Sequence, residues 1–198
     1  MTVRVDPAAA REVAAAYLDT PSRRDPLVRA AYAQLVDESD LLYRWITDPD
    51  HPDHVDVVFT ACPEPYAGAA ELIESVRRHR RLEVVTVAVD PDRRPHPLMG
   101  SERGGAHDRI RAVHDVLGHA RLGLGFDRDG EFAVWRSQER HHGHLARWAL
   151  ATELHAQHSV LWTTGQLAEP KAILLDPRVL RRSAAAALTT PTPRKGAP

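Results

Sequence analysis

Residues Arg109 to Arg121 read as one amphipathic helix with Ile110, Val113 and Leu117 on its apolar side, yet His114, Asp115 and His119 are set among those apolar residues. An unpaired ionisable group is costly to bury, and a bound metal is one way to remove that cost. The fold must therefore bring partners to these groups from elsewhere in the chain. Asp108 is a good N-cap for such a helix. On a regular helix Asp115 and His119 lie about 40° apart around the axis, whereas His114 and His119 lie about 140° apart. Three solutions are open: the helix distorts near Gly118, the pair serves opposite sides of a wider site such as two metals, or one histidine is a supporting or core residue.

Carboxylates arrive from the next stretch. Gly130 to His142 carries the helical stripe Glu131, Trp135, Gln138, His142, and Leu145 to Val160 carries Ala146, Ala149 or Leu150, Glu153 and Gln157. In one straight helix Glu131 and Glu153 would stand about 33 Å apart. A break is required, and Gly143, within His141-His142-Gly143-His144, supplies it. An antiparallel hairpin turning there brings both carboxylates to similar heights, the arrangement by which helical bundles aim carboxylates at a metal centre. The candidate ligands are His114, His119, Glu131 and Glu153, with Asp115, His158 and Gln157 in reserve. Glu139-Arg-His-His142 is a single Glu-x-x-His match and a lesser candidate. Cys62 is the only cysteine, so an internal disulfide and a thiolate-rich zinc site are both excluded. Imidazole with carboxylate suits iron, manganese or zinc.

The remaining elements place this site in a mostly helical α+β fold, a helix hairpin and a third helix forming the metal site, with a small strand-helix-strand unit in the N-terminal half. Helices are expected over Pro7 to Leu18 and over Asp25 to Ile46, the second with Leu27, Ala31, Leu35, Leu42 and Trp45 at helical spacing. Val55 to Thr60 and Leu82 to Val89 read as parallel strands around a helix from Gly68 to Arg78. The basic run Arg77 to Arg81 suits that helix's C-terminus, and His51 and His54 read as solvated loop residues. Asp90 to His107 is a Pro- and Gly-rich loop leading into the site, which makes His96 a candidate substrate contact. Ala172 to Leu175 reads as a short strand and Asp176 to Leu188 as a last helix. A single domain over 1–188 and a disordered tail over 189–198 complete the expectation.

Lys and Arg (26) nearly balance Asp and Glu (27), so the net charge of −1 offers no footprint for nucleic acid or an anionic membrane. No apolar run approaches the roughly 20 residues of a membrane helix, and the first twenty residues are unlike a secretory signal. The expected location is the cytoplasm.

The combined string Asp108-x-x-Arg111-Ala-Val-His114-Asp115-x-x-Gly118-His119, Gly123-x-Gly125-Phe126, Gly130-Glu131-x-x-x-Trp135, Leu145-Ala-Arg147 and Thr152-Glu153-x-x-x-Gln157 resembles a small domain found in uncharacterised proteins, and is similar as well to the diiron nitrile synthases that act on tryptophan-type amino acids. The resemblance spans about Pro26 to Leu180, with His96-Pro97-Leu98 included, and implies His114, His119, Glu131 and Glu153 as matched positions. His141, His142, His144 and His158 depart from the pattern. What it implies is a non-haem diiron oxygenase: two irons, with manganese or zinc as alternatives, O2 as co-substrate, and oxidation or rearrangement of a small molecule such as an amino acid. Candidate substrate contacts are Arg111 (or Arg109) to a carboxylate, with His142, Trp135 and His96. No nucleic-acid or membrane partner is expected, and a homodimer is left open. Two alternatives stand beside it. His114-Asp115 and His141-His142 suggest a His-Asp metal-dependent phosphohydrolase, although one residue too many separates Asp115 from Gly118-His119. A non-enzymatic binding domain with a buried polar network is the other.

Overall fold

A computed structural model describes residues 2–89, 94–185 and 188–190. The chain is a mostly helical α+β fold. After a short strand β1 (Thr2–Arg4), helix α1 (Pro7–Asp19) starts on the Asp6 cap, whose side chain accepts from the Ala8 N–H, with Pro7 in the first turn. Helix α2 (Pro26–Thr47) starts the same way on Asp25. Its buried face is Val28, Ala31, Tyr32, Leu35, Ser39 and Ile46. The stripe expected through Leu27 and Trp45 is thus displaced: these two are 48% and 44% exposed. Spacing alone admits two neighbouring stripes, and the chosen one turns Tyr32 inward to buried acceptors.

Strand β2 (Asp56–Thr60), helix α3 (Ala69–His79) and strand β3 (Arg81–Val85) form the expected unit, with β2 and β3 parallel and Val58 opposite Glu83. The second strand ends earlier than expected, and Val87–Val89 coil into a 3-10 turn. Asp108 explains this: its carboxylate accepts from Thr86 Oγ1 at 2.6 Å and from the Val87 N–H at 3.0 Å, bending the backbone out of the sheet. Asp108 is therefore not the N-cap of its helix, a place taken by Gly105. The basic run is spent locally, Arg77 donating to the Ala120 carbonyl, Arg78 pairing with Glu74, Arg80 with Asp53 and Arg81 with Glu83.

Helix α4 (Ala106–Val113) runs on as a π-helical segment, His114–Ala120. Helix α5 (Arg128–Gln138) ends in a 3-10 turn, Glu139–His141, and Gly143 then caps α6 (His144–Leu150). The chain continues as a second π segment, Ala151–Ala156, and as α7 (Gln157–Thr164). The break near Gly143 falls where the sequence places it.

Ala172 to Leu175 form no strand. Ala172, Ile173 and Leu175 are buried against helices, and their carbonyls accept from the Arg23 N–H, Thr152 Oγ1 and Trp148 Nε1, so one backbone and two side-chain donors stand in for a sheet ladder. After α8 (Pro177–Ala185), strand β4 (Leu188–Thr190) pairs antiparallel with β1. Thr189 and Thr190, expected in a disordered tail, are paired instead; residues 90–93, 186–187 and 191–198 of the expected loop, helix and tail lie outside the described residues.

The apolar interior has two parts. One joins α1, α2, α5, α6 and the segment around Ile173; the other joins β2, α3 and β3 to Val113, Val116 and Leu117. Because α4 gives Ile110 to the first and Ala112 and Val113 to the second, the π segment that continues it stands at their boundary. Among the described residues, no helix is long and apolar enough to cross a membrane.

Candidate metal centre

In a π segment each N–H bonds to the carbonyl five residues back, so residues five apart stack on one face. That is the first of the three solutions for His114 and His119. Their Nε2 atoms lie 3.0 Å apart, with the rings nearly perpendicular at 79°. Gly118 permits the close packing this requires, since a Cβ there would stand 2.3 Å from Val134 Cγ1 on α5. Glu153, within the second π segment, and His158, just beyond it, are likewise five residues apart.

Glu131 comes from the first turn of α5, where Gly130 lets the backbone pass close to Gly125; a Cβ on Gly130 would meet the Gly125 carbonyl oxygen at 2.2 Å. Its carboxylate lies 3.2 Å from His114 Nε2, 3.4 Å from His119 Nε2 and 3.5 Å from His158 Nε2. The opposite nitrogen of each ring is tied down. His119 Nδ1 reaches the Leu124 carbonyl at 2.9 Å, His158 Nδ1 the Leu154 carbonyl at 2.9 Å, and His114 Nδ1 the Gln138 Oε1 at 3.1 Å. A carbonyl oxygen only accepts, so each Nδ1 carries a proton; a ring that is neutral then turns an Nε2 lone pair to Glu131, and one that is protonated donates to that carboxylate. This is how metal-binding histidines are oriented.

Burial alone would raise Glu131, but the His114 and His119 contacts outweigh it and hold the carboxylate well below its usual range. Burial likewise opposes the charged form of His114, yet Glu131 raises it above the ordinary imidazole value. Desolvation dominates at His158, which is lowered, and at Asp115, which is raised. His114, Asp115 and His119 have donor atoms within 4.8 Å of one another. Glu131 is the better carboxylate partner, being ionised and nearer to both rings.

Glu153 stands in a different environment. Tyr32 donates to its Oε1 at 2.7 Å, Gln157 Nε2 donates to its Oε2 at 2.7 Å, and His96 Nε2 lies 3.3 Å from Oε1. The Leu98 N–H donates to His96 Nδ1 at 3.1 Å, which leaves the His96 proton on Nε2, the reverse of the rings around Glu131. Burial would raise Glu153, but His96, His107 and Tyr32 together hold it below its ordinary value. Tyr32, desolvated beside that charge, is pushed far up.

His114, His119, Glu131, Asp115, His158, Glu153 and Arg111 all line one cavity of about 380 Å³. His96 meets the site through Glu153. The remaining candidates lie elsewhere. His142 is buried against Glu38 at 3.2 Å and lines no part of the cavity, which removes both the substrate contact and the later histidine of the phosphohydrolase alternative. Trp135 stacks on His155, centroids 4.4 Å apart at 8°, because its stripe on α5 faces the second helix of the hairpin. Glu139 pairs with Arg136, and Arg109 is engaged by Asp40 through two nitrogens. Sequence reasoning missed Tyr32, His107 and the orienting role of Gln138. Gln138 was detectable, two turns beyond Glu131 on one stripe.

The chain matches no family model, no curated protein and no solved structure.

Proposed function

We propose that the chain is a non-haem, metal-dependent oxygenase acting on a small molecule in this cavity. One observation carries this: two imidazoles fixed through Nδ1 meet Nε2 to Nε2 at 3.0 Å against the Glu131 carboxylate. Two lone pairs that close repel unless they share a positive charge, and a divalent cation is such a charge. Two histidines and one carboxylate are the donor set of non-haem iron(II) oxygenases, with manganese or zinc as chemical alternatives. Iron(II) bound by such a set supplies O2 activation at its open positions. The amino-acid-like substrate expected from the sequence belongs to the same proposal, which requires only one iron.

The chain's own residues take the remaining roles. Arg111, which donates to the Val85 carbonyl and lines the cavity, suits an anionic group of the substrate. His119 packs edge-on to Phe126 at 4.8 Å, and Met99, Ile110 and Leu154 add apolar wall that limits water. His158, kept neutral by burial, can accept a proton at Nε2.

Anaerobic iron(II) titration followed by air tests the proposal. Iron binding and iron-dependent O2 consumption are expected, and His114→Ala and Glu131→Gln should each weaken binding by more than about tenfold, since even outer partners of metal ligands contribute that much. Full retention in both variants sinks the site. Manganese-dependent phosphoester hydrolysis without O2 uptake would favour the hydrolase, and a chain that binds no metal would favour a binding domain.

A further inference from the structure

We infer that the cavity holds one metal ion, at His114, His119 and Glu131, and that Glu153 is a cavity-facing carboxylate outside the ligand set. The inference rests on the metal-centre reading above and departs from the two-iron expectation.

The two carboxylates of the cavity have opposite surroundings. Around Glu131 every neighbouring Nε2 becomes a lone pair once its ring is neutral, because His119 and His158 give their Nδ1 protons to backbone carbonyls and His114 gives its own to Gln138. Around Glu153 the neighbouring groups are donors. Tyr32 and Gln157 each donate to one of its oxygens, and His96 turns a protonated Nε2 toward it because the Leu98 N–H occupies Nδ1. An N–H cannot ligate a cation.

Of the imidazoles that act on Glu153, only His107 is left to join it around a second ion, since His158 lies by Glu131 at 3.5 Å and Asp115 groups with His114 and His119. Two protein ligands fall short of the three that catalytic sites keep. Recruiting His96 would break the Leu98 contact and its stacking on Tyr32, whose ring lies 4.8 Å away. Glu153 already has the neutral donors that let a buried carboxylate stand without a metal.

Metal counting on the full chain decides the matter. After anaerobic loading with iron(II) and removal of the excess, wild type should retain one iron per chain. Glu153→Gln should retain the same one with affinity within about threefold, whereas Glu131→Gln should lose it. Loading with manganese(II) should give the EPR spectrum of isolated ions without exchange coupling. Two irons in wild type, falling to one in Glu153→Gln, or a coupled manganese spectrum, would overturn the inference while leaving the metal reading intact. No iron in wild type would overturn both. The wild-type count and spectrum decide the question even if a variant fails to fold.

Discussion

His119 and His114 face each other Nε2 to Nε2 at 3.0 Å, while the far nitrogen of each ring is held by an oxygen acceptor. Neither ring can turn away without giving up a buried hydrogen bond, which typically costs about 1–3 kcal/mol.

Metal binding should depend on pH in a stated direction. Ligation requires neutral imidazoles. Burial works against the charge on His114 but Glu131 prevails, so His114 keeps its proton to a higher pH than an ordinary histidine. Cobalt(II) affinity should therefore fall as pH is lowered from 8 to 6, approaching about tenfold per unit as one proton is displaced. A titration series that stays flat over this range would contradict the assignment of His114.

Gly118→Ala should destabilise the protein although alanine is the better helix former. The added methyl would stand 2.3 Å from Val134 Cγ1, and overpacking of this kind costs about 1–3 kcal/mol. Val134→Ala makes room. The double variant should be more stable than the two single losses added together, with a coupling of about 0.5–3 kcal/mol in urea unfolding. Simple additivity would mean that this contact does not constrain the π segment.

Burial pushes His155 down to about 3, where it stacks on Trp135 and contacts Ser183 Oγ at 2.8 Å. The folded value lies below the unfolded one, so the unfolded chain binds more protons between about pH 6.5 and 3. The stability this group contributes is complete above pH 6.5 and is lost as pH falls across that window. The slope is at most about 1.4 kcal/mol per pH unit from this residue. His155→Gln should be less stable at pH 7 and show a shallower decline toward pH 4.5. An unchanged slope would assign the acid sensitivity to other groups.

Tyr32→Phe removes the hydroxyl that donates to Glu153 Oε1 at 2.7 Å. A loss of about 1–3 kcal/mol is expected by thermal or urea unfolding, because a buried carboxylate is left short of a donor. The effect should be larger at pH 7 than at a pH acid enough to protonate Glu153, whose carboxyl is held below its ordinary value by His96, His107 and Tyr32. Equal losses at both pH values would show that Tyr32 acts by packing alone.

The sequence foretold the hairpin more clearly than the turn of helix that completes the site. Gly143 among polar residues marks a break, and counting outward from it sets Glu131 and Glu153 on one cavity. Nothing in residue type marks a π segment: the 140° conflict between His114 and His119 was visible, but its resolution depends on the backbone slipping from four-residue to five-residue hydrogen bonding. Tyr32 was hidden because two adjacent stripes on its helix looked equally apolar. The tyrosine's acceptors, at Glu153 and on the far Lys171–Ile173 segment, are known only after folding. The β1–β4 pair escaped notice because three-residue strands are too short for alternation to register. Ala172 to Leu175 misled for the opposite cause, a strand-like composition whose partners turned out to be mostly side chains.

A π segment is in effect an α-helix with one residue too many, and this gives the interval between His114 and His119 a meaning of its own. Deleting Val116 would remove the extra residue and let the helix close in the regular way, leaving the two histidines four apart and about 40° from each other around the axis. His119 would keep both its chemistry and the face it shares with His114. For chains of this kind, four residues in a regular helix and five in a π segment are thus equivalent intervals for the pair. A variant one residue longer, with alanine inserted after Val116, would instead set the pair six apart on different faces and should bind no metal there.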